Sequence, residues 1–455
     1  MEQDKTSRFR IGLFPWGGVA EDFLRPIGVD RRAFAEEMSG GWLFGYIAAL
    51  AREGVATSIF GFSEAISGIE RWVNPTTGVP TVYIPAGRLY RWLRRWPGDS
   101  DDVTHPRTRR AAPLQDLVRY AATPPRATSA ALRAEGCTVI LAQEYENPRF
   151  DMLVAVGRRT GLPVFASFQG APPPAIAIER SIRRRTIKAA SGLIVASAPE
   201  AARVRAAYRL APERIAKIPN PLDLDLWRPE PRQACRSALG VPNSARVVVC
   251  HGRIDIHRKG LDVLIMAWRD LTRAHSDQDL RLHLVGSGQD DGRLAKLIAA
   301  SPVPGLRWVR RYVNDRAEMR RELGAADVYV LASRHEGFPV APLEALACGL
   351  PVVAAAAPGV SDIFPEDAED GGVVVPTGDA AALQRALERV LFTDGLRARM
   401  AARARARVAE FASLDAVGTR LADFLSGHPS TREPPSLGAC ETGRRPHEAP
   451  LGSPR

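Results

Sequence analysis

Short apolar runs in the first half of the chain have the length and composition of buried β-strands. They lie at 9–14, 56–60, 137–144 and 162–170. A helical pattern at 42–53 follows a pair of glycines and separates the first two runs. Strands that alternate with helices are typical of a parallel α/β sheet, whose strands are covered on both faces and read as continuous apolar runs. The pattern predicts a first Rossmann-like domain over 1–222.

The same rhythm starts again after the proline-rich segment "IPNPLDLDLWRPEP" at 218–231, in which we place a hinge between two domains. Further strand-like runs lie at 245–253, 280–288, 306–309, 327–333 and 351–355. We therefore expect an α/β fold with two doubly wound domains that face each other across a cleft, the second over 223–410. A helix at 411–427 is expected to pack back toward the first domain, and 428–455 has the composition of a disordered tail.

Two stretches of the first domain lack a clear pattern. Residues 15–39 are irregular, and 85–127 predicts an inserted loop or a short amphipathic helix. Part of the latter, "RLYRWLRRWPG", alternates cations with aromatic residues. Such a segment could lie on an anionic membrane, with its rings at the interface, or pack on the domain and leave its arginines in water.

Composition narrows the class of protein. The chain has 455 residues, enough for two domains, and its 45% hydrophobic and 25% charged content is typical of a folded protein. It shows no long apolar run of a spanning helix and no secretory leader, so we expect a cytoplasmic protein, with peripheral membrane contact as an option. The five scattered cysteines lack metal-site spacing, which argues against zinc and against disulfides. The net charge of +11 favours anionic partners or simply a solvated basic surface.

One loop combines glycine with two cations. In "CHGRIDIHRKG" a strand ends at Cys250, and Gly252, Arg253 and Lys259 follow before the next helix. Glycine lets a phosphate approach the backbone, and cations near a helix start add charge, so the loop predicts a diphosphate site or an ordinary surface loop. Gly286 in "LVGSG" marks a second strand-to-loop turn of the same kind. The histidines at 105, 251 and 275 have no metal spacing and are interpreted as incidental.

Two glutamates bracket an apolar stretch in "EGFPVAPLE". Glu336 follows a predicted strand, and Glu344 falls in the first two turns of the next helix. Both acids should therefore face the same cleft as Arg253 and Lys259. A carboxylate accepts hydrogen bonds from paired hydroxyls, so the constellation suits a nucleoside diphosphate sugar, with hydroxyls rather than cations as partners of the acids.

The motifs "IPNPLDLDLWRP", "GRIDIHRKGLDVLI", "LVGSG", "EGFPVAPLEALACGLPVVA" and "PGVSDIF" resemble, in order and spacing, those of family 4 retaining glycosyltransferases, which have the GT-B fold. The resemblance covers residues 190–390 well and the first half loosely. It implies transfer of a sugar from a nucleoside diphosphate sugar to a glycan, lipid-linked or small-molecule acceptor. It also implies a front-face mechanism, in which the leaving phosphate takes the proton of the acceptor.

Residue roles follow from the resemblance. Arg253 and Lys259 would bind the donor diphosphate, Glu336 would lie near the transferred sugar, and Glu344 would hold the ribose. Further donor contacts are implied at Gly252, Gly286, Gly337, Phe338, Pro339 and Gly359. The "SGG" before the first helix suits the first phosphate loop of the family, which implies donor contacts at Gly40 and Gly41. The stretch 15–39 would then be a longer loop than usual.

The chain departs from the family pattern at one predicted donor contact. Where many relatives have a histidine at the end of a first-domain strand, this chain has Gln169, which can bond a hydroxyl but cannot carry a proton. At the end of the neighbouring strand, Gln143, Glu144 and Tyr145 are expected to face the cleft and contact the acceptor, with a structural turn as the alternative.

The sequence therefore predicts a glycosyltransferase that needs no cofactor and no metal, because fixed cations can stabilise the leaving diphosphate. Two alternatives remain: a non-catalytic scaffold of the same fold that binds nucleotide sugar or anionic polymer, and a nucleotide-sugar epimerase. A nucleic-acid partner is not expected, since the sequence lacks a module of stacking aromatic residues.

Overall fold

A computed structural model describes residues 9–15, 17–25, 28–38, 41–93, 118–171, 173–174, 176–364 and 371–427. The predicted disordered tail at 428–455 lies outside these residues, as do Gly40 and most of the segment 85–127 beyond residue 93. The described chain folds around two mainly parallel sheets. This confirms the predicted two α/β domains.

Within the described residues, the first sheet contains eight strands. They are β1 (Arg10–Phe14), β2 (Ala56–Ser63), β3 (Glu70–Val73), β4 (Pro80–Pro85), β5 (Val139–Gln143), β6 (Val164–Ser167), β7 (Gly192–Val195) and β8 (Ile215–Lys217). Their order in the sheet is β3-β4-β2-β1-β5-β6-β7-β8, and all neighbours are parallel except β3 and β4. The strand order reverses between β1 and β5, which creates a crevice at the carboxyl ends of these two strands.

Helices cover both faces of this sheet. They are α1 (Ala20–Leu24), α2 (Arg31–Glu36), α3 (Gly41–Arg52), α4 (Arg88–Leu93), α5 (Pro125–Ala134), α6 (Pro148–Thr160), α7 (Ala177–Ala189) and α8 (Ala198–Tyr208). The core on one face packs against α5 and α6, and the core on the other face packs against α1 and α3. The connection from β1 to α3 is long, as expected, but the helices α1 and α2 lie in 15–39, so the expectation that it is irregular was wrong.

The second sheet contains six parallel strands in the part of the chain that the structure describes. They are β9 (Arg246–His251), β10 (Leu280–Val285), β11 (Leu306–Val309), β12 (Val328–Leu331), β13 (Val352–Ala355) and β14 (Gly372–Val375). Their order is β11-β10-β9-β12-β13-β14, the order of a dinucleotide-binding doubly wound sheet. The reversal point lies between β9 and β12. Ligands of such sheets bind at that point, beyond the carboxyl ends of the strands.

The helices of the second half pack on this sheet, with one exception at the end of the chain. They are α9 (Arg232–Leu239), α10 (Leu261–Ala274), α11 (Asp291–Ala300), α12 (Arg316–Ala325), α13 (Ala341–Ala347), α14 (Val360–Ile363), α15 (Ala380–Phe392), α16 (Leu396–Ala412) and α17 (Leu414–Leu425). Buried residues of α16 belong to a core on the second sheet, whereas Val417, Leu421 and Leu425 of α17 belong to a core on the first sheet.

The chain thus crosses twice between the two sheets. It passes from β8 to α9 through the proline-rich segment, and it returns through α17, which lies against α3. Gly418 of α17 comes so close to α3 that a Cβ atom there would lie 2.4 Å from the carbonyl oxygen of Ala49. The residues at which one domain passes into the other stay a prediction.

The basic and aromatic segment forms α4 where it is described. Tyr90 is buried in the first core, while Leu89 and Trp92 are exposed. Among the described residues, every helix is too short or too polar to cross a bilayer.

Candidate active site

A pocket opens at the reversal point of the second sheet, between the ends of β9 and β12. Six of the residues singled out from the sequence line it, and we call it the switch-point pocket: Gly252, Arg253, Lys259, Glu336, Phe338 and Pro339. The first three follow β9, and the last three follow β12. The parallel topology therefore brings together two motifs that are about eighty positions apart in the sequence.

Backbone packing holds the loop after β9 in place. The N–H of Gly252 donates to the carbonyl of Val285 at 3.0 Å. A Cβ atom on Gly286 would lie 1.9 Å from the carbonyl oxygen of Gly252, so only glycine allows the two loops to touch. Gly286 thus supports the loop from behind, and it is not among the residues that line the switch-point pocket. Gly286 therefore has a packing role, and its contact with the donor stays a prediction.

A second set of contacts joins the loops after β9 and β12. The N–H of Arg334 donates to the carbonyl of Arg258 at 2.9 Å, and its guanidinium makes two bonds of 2.8 Å to the carboxylate of Asp262. Gly260, at φ 62°, starts α10 so close to Ala332 that a Cβ atom would lie 2.0 Å from its carbonyl oxygen. The position of Lys259 relative to Glu336 is therefore fixed by backbone contacts on both sides.

Lys259 and Glu336 form an ion pair. The Nζ atom of Lys259 lies 2.7 Å from Oε1 of Glu336, whose side chain is only 7% exposed. A buried carboxylate needs such a partner, because an unpaired charge would cost several kcal/mol. The sequence assigned hydroxyl partners to Glu336, and in this structure its partner is a cation. Arg253 is exposed at the pocket and has no carboxylate within ion-pair distance among the described residues.

Glu344 lies on the first turns of α13 and also has a partner that the sequence did not suggest. Its Oε2 atom lies 2.7 Å from Nε2 of His251, the last residue of β9. His251 lines the switch-point pocket, and Glu344 reaches that pocket's edge through its contact with His251. The interpretation of His251 as incidental was wrong. Its place at the carboxyl end of β9, directly before Gly252, is the signal that could have found it.

The loops of the two sheets meet at a pair of glycines. A Cβ atom on Gly337 would lie 3.5 Å from the Cα of Gly170, which follows β6. Gly359, at φ 84°, packs against the loop of Gly337, and a Cβ atom on Gly359 would lie 2.9 Å from the carbonyl oxygen of Gly337. Gln169, Gly337, Phe338 and Gly359 are thus brought together where the domains face each other.

Gln169 belongs to a polar cluster on the first domain. Its amide lies 3.3 Å from the hydroxyl of Ser167 and 3.5 Å from the side chain of Asn220, and it also bonds the hydroxyl of Tyr46. Tyr46 lies on α3, the helix that Gly41 begins, and burial raises the pKa of its hydroxyl. The helix that was predicted to cover the phosphates therefore reaches Gln169, although its preceding Gly40 lies outside the described residues.

The expectation that Gln143, Glu144 and Tyr145 face the cleft is corrected, because all three side chains are buried. Tyr145 belongs to the core and donates to Glu200. Glu144, at φ 133°, accepts hydrogen bonds from the backbone N–H groups of Glu146 at 3.0 Å, Gln169 at 3.1 Å and Ala171 at 2.9 Å. It joins the loop after β5 to the loop after β6, so the structural alternative describes it better.

Comparison with known proteins agrees with this architecture. The family described as Glycosyltransferase Family 4 matches residues 47–226, and the family described as Glycosyl transferases group 1 matches residues 231–407. A D-inositol 3-phosphate glycosyltransferase of Catenulispora acidiphila is 32% identical over 324 residues, which cover 66% of this chain and 75% of that one. A match to the enzyme of the same name from Saccharomonospora viridis covers about half of each chain, 50% and 53%.

Solved structures share the fold over almost the whole length. Sucrose-phosphate synthase from Thermosynechococcus elongatus is 21% identical with a TM-score of 0.67, and the match covers 92% of this chain and 99% of that one. Anabaena HepE in complex with UDP is 16% identical with a TM-score of 0.64, over 92% and 100% of the two chains. The chain belongs to glycosyltransferase family 4, has the GT-B fold and is a glycosyltransferase.

Proposed function

We propose that the chain transfers a sugar from a nucleoside diphosphate sugar to a hydroxyl of its acceptor, with retention of the anomeric configuration. The observation that carries the proposal is the switch-point pocket, where Arg253, Lys259 and Glu336 converge at the position that doubly wound sheets use for nucleotides. The solved complex of HepE with UDP supports a nucleoside diphosphate as the donor fragment.

The charges of the switch-point pocket suit a departing diphosphate. Breaking the bond between the anomeric carbon and the phosphate oxygen leaves negative charge on the diphosphate and positive charge on the sugar. Arg253, which has no competing carboxylate among the described residues, and Lys259 stabilise the leaving group more strongly in the transition state than in the ground state. No metal is needed for this step, because the two cations supply the charge.

Glu336 acts on the sugar side of the same bond. Lys259 occupies one oxygen of its carboxylate, which leaves acceptor capacity for a hydroxyl of the transferred sugar. The acceptor hydroxyl attacks from the side of the leaving group and forms the new glycosidic bond. Its proton passes to the departing phosphate oxygen, so no protein base is required, in keeping with a glutamine at position 169.

Glu344 holds the ribose, and the first domain holds the acceptor. Gln169 and Gly170 meet the loop of Gly337 across the cleft, so an acceptor bound near them would lie beside the reacting carbon. The acceptor class is a glycan, a lipid-linked sugar or a small molecule. Because the Catenulispora relative is a D-inositol 3-phosphate glycosyltransferase, a phosphorylated inositol is one candidate small molecule.

The test is an assay of the purified chain with a panel of nucleoside diphosphate sugars and acceptors, with nucleotide release and product mass as readouts. The wild type should form glycoside, and R253A and E336A should lose about 10²–10³ in rate, as typical deletions of a transition-state contact do. Full activity in both variants would contradict the site assignment. Donor binding without turnover would favour the scaffold, and donor isomerisation without acceptor would favour the epimerase.

A further inference from the structure

Among the described residues, the side chains of His251 and Glu344 make their one side-chain hydrogen bond to each other. The two bonded atoms lie 2.7 Å apart, and the side chains are only 8% and 15% exposed. Among the described residues, His251 has no partner for its buried Nδ1 atom, and Glu344 makes no other side-chain hydrogen bond. Each group therefore depends on the other for the one strong contact that it makes.

The unpartnered nitrogen decides how the histidine bonds. A buried N–H without an acceptor costs more than a bare ring nitrogen, which has only one lone pair to satisfy. The favoured tautomer therefore carries its hydrogen on Nε2 and donates it to Oε2 of Glu344. Oε1 of the carboxylate is left to accept hydrogen bonds from elsewhere.

The ring itself is held firmly. His251 is the last residue of β9, its carbonyl accepts a hydrogen bond of 3.3 Å from the hydroxyl of Tyr329, and the two rings meet edge to face at 5.3 Å. Tyr329 lies on β12, the strand on the other side of the reversal point. The rigidly held N–H of His251 on β9 thus fixes the orientation of the Glu344 carboxylate on α13.

We propose that His251 is a positioning residue for donor binding: it orients Glu344 so that the free carboxylate oxygen meets the hydroxyls of the donor ribose. The inference rests on the proposed function, in which Glu344 holds that ribose. Without the histidine, the carboxylate would rotate into other conformations and lose part of its bond to the ligand. Since the ribose does not change during the reaction, the loss should appear in donor binding and not in the chemical step.

The experiment compares ligands that differ only in the ribose. Calorimetry first finds which of UDP, GDP and ADP the wild type binds most tightly. The binding of that nucleotide and of its 2′,3′-dideoxy counterpart is then measured for each variant. H251F removes the N–H group that donates to Glu344, and H251Q keeps an N–H near the position of Nε2. The matched control is H275F, because His275 forms a similar pair with Glu388, at 2.8 Å, away from the pocket.

We expect H251F to weaken binding of the ribonucleotide about tenfold or more, the size of a lost bond to a charged group, and to leave binding of the dideoxynucleotide unchanged. The affinity of H251Q for the ribonucleotide should stay within about threefold of that of the wild type, and the affinity of H275F should equal that of the wild type. In the background of E344A, H251F should have no further effect, because the residue through which it acts is gone.

Two results would overturn the inference alone. In one, H251F keeps full discrimination between ribose and dideoxyribose while E344A loses it. In the other, H251F weakens binding of both nucleotides equally, which would mean that the ring only supports the loop. Binding of the dideoxynucleotide also shows whether the variant is folded. If E344A itself discriminates as the wild type does, Glu344 does not hold the ribose, and the corresponding part of the proposed function fails as well.

Discussion

At the scale of single residues, each acid of the site is held by one nitrogen from the loop or strand opposite. Lys259 holds Glu336, and His251 holds Glu344, in both cases at 2.7 Å. One bond satisfies part of a buried carboxylate and leaves further lone pairs available. Such partial satisfaction is suited to binding hydroxyls, because the acid is oriented before the ligand arrives and less ordering remains to be done.

Glu144 gives the stability of the protein a pH dependence of its own. Burial raises its pKa from 4.5 to about 7, in spite of three backbone N–H donors. Because the folded-state pKa lies above the unfolded one, the native state binds more protons between these values, and stability falls as the pH rises through that window. The contribution is about 3 kcal/mol by linkage.

Unfolding by denaturant at pH 5 and pH 8 measures this effect. The wild type should lose stability between the two values, and E144Q should lose less, since it has no proton to release. The exposed Glu213 of the same domain provides the control, and E213Q should behave as the wild type does. An equal loss in E144Q and the wild type would refute the role of Glu144.

At the scale of strands and helices, the site depends on how closely the loops after the strands can pack. The loop after β9 rests on the loop after β10 through Gly252 and Gly286, and α10 starts against the end of β12 through Gly260. These contacts join backbone to backbone, so the side chains that line the switch-point pocket are carried by a rigid base.

The close approach at Gly286 predicts a large effect of a single methyl group. In G286A the new Cβ atom would clash with the carbonyl oxygen of Gly252, at a φ of 144° that side chains rarely adopt. We expect a loss of about 3 kcal/mol or more in the free energy of unfolding, together with weaker nucleotide binding. G54A is the control: Gly54 has a φ of 71° but open space around it, so only about 1 kcal/mol should be lost. Similar losses in the two variants would contradict the packing role.

The same scale shows what could be predicted from the sequence. Nine apolar strands and the loops after them were predicted, because a buried parallel strand reads as a continuous apolar run and a parallel sheet collects its strand ends at one edge. The helices α1 and α2 were missed, since elements of five and six residues are too short for their periodicity to be read. Five strands were also missed, namely β3, β4, β7, β8 and β14, and all but β4 have four residues or fewer.

The spacing of residues along the chain could not predict contacts between residues that are far apart in the sequence. His251 and Glu344 are 93 positions apart, so no local pattern joins them. Glu144 stands at the end of a strand as a cleft residue would, but its positive φ turns the side chain toward the backbone of the next loop. Position along the chain predicted which loops meet, whereas the direction of each side chain depended on tertiary packing.

At the scale of the whole molecule, contacts of unequal strength connect the two domains. Asp362 follows the Gly359 loop and accepts hydrogen bonds from the N–H of Ala198, at 3.1 and 3.0 Å, and from Lys217 at 3.1 Å. Its side chain is 7% exposed. A loop predicted to touch the donor is thus anchored to the domain that is predicted to hold the acceptor.

Removing this anchor should destabilise the protein more than removing an exposed contact. D362A leaves the N–H of Ala198 and the ammonium of Lys217 without their acceptor, and we expect a loss of about 2 kcal/mol. Asp415 of α17 also bridges to the first domain, through Arg52, but it is 70% exposed, so D415A should lose less than about 1 kcal/mol. Midpoints of denaturant unfolding measure both variants, and an equal shift would count against the anchoring role of Asp362.

In the proposed division of roles, Glu344 serves binding of the donor and Glu336 serves transfer, and steady-state kinetics of sugar transfer separate the two. We predict that E344Q raises the KM for the donor about tenfold with little change in kcat, because its contact is the same in the ground and transition states. E336Q should lower kcat about 10²–10³-fold with a nearly unchanged KM. A fall in kcat of E344Q as large as that of E336Q, or full turnover by E336Q, would contradict this division of roles.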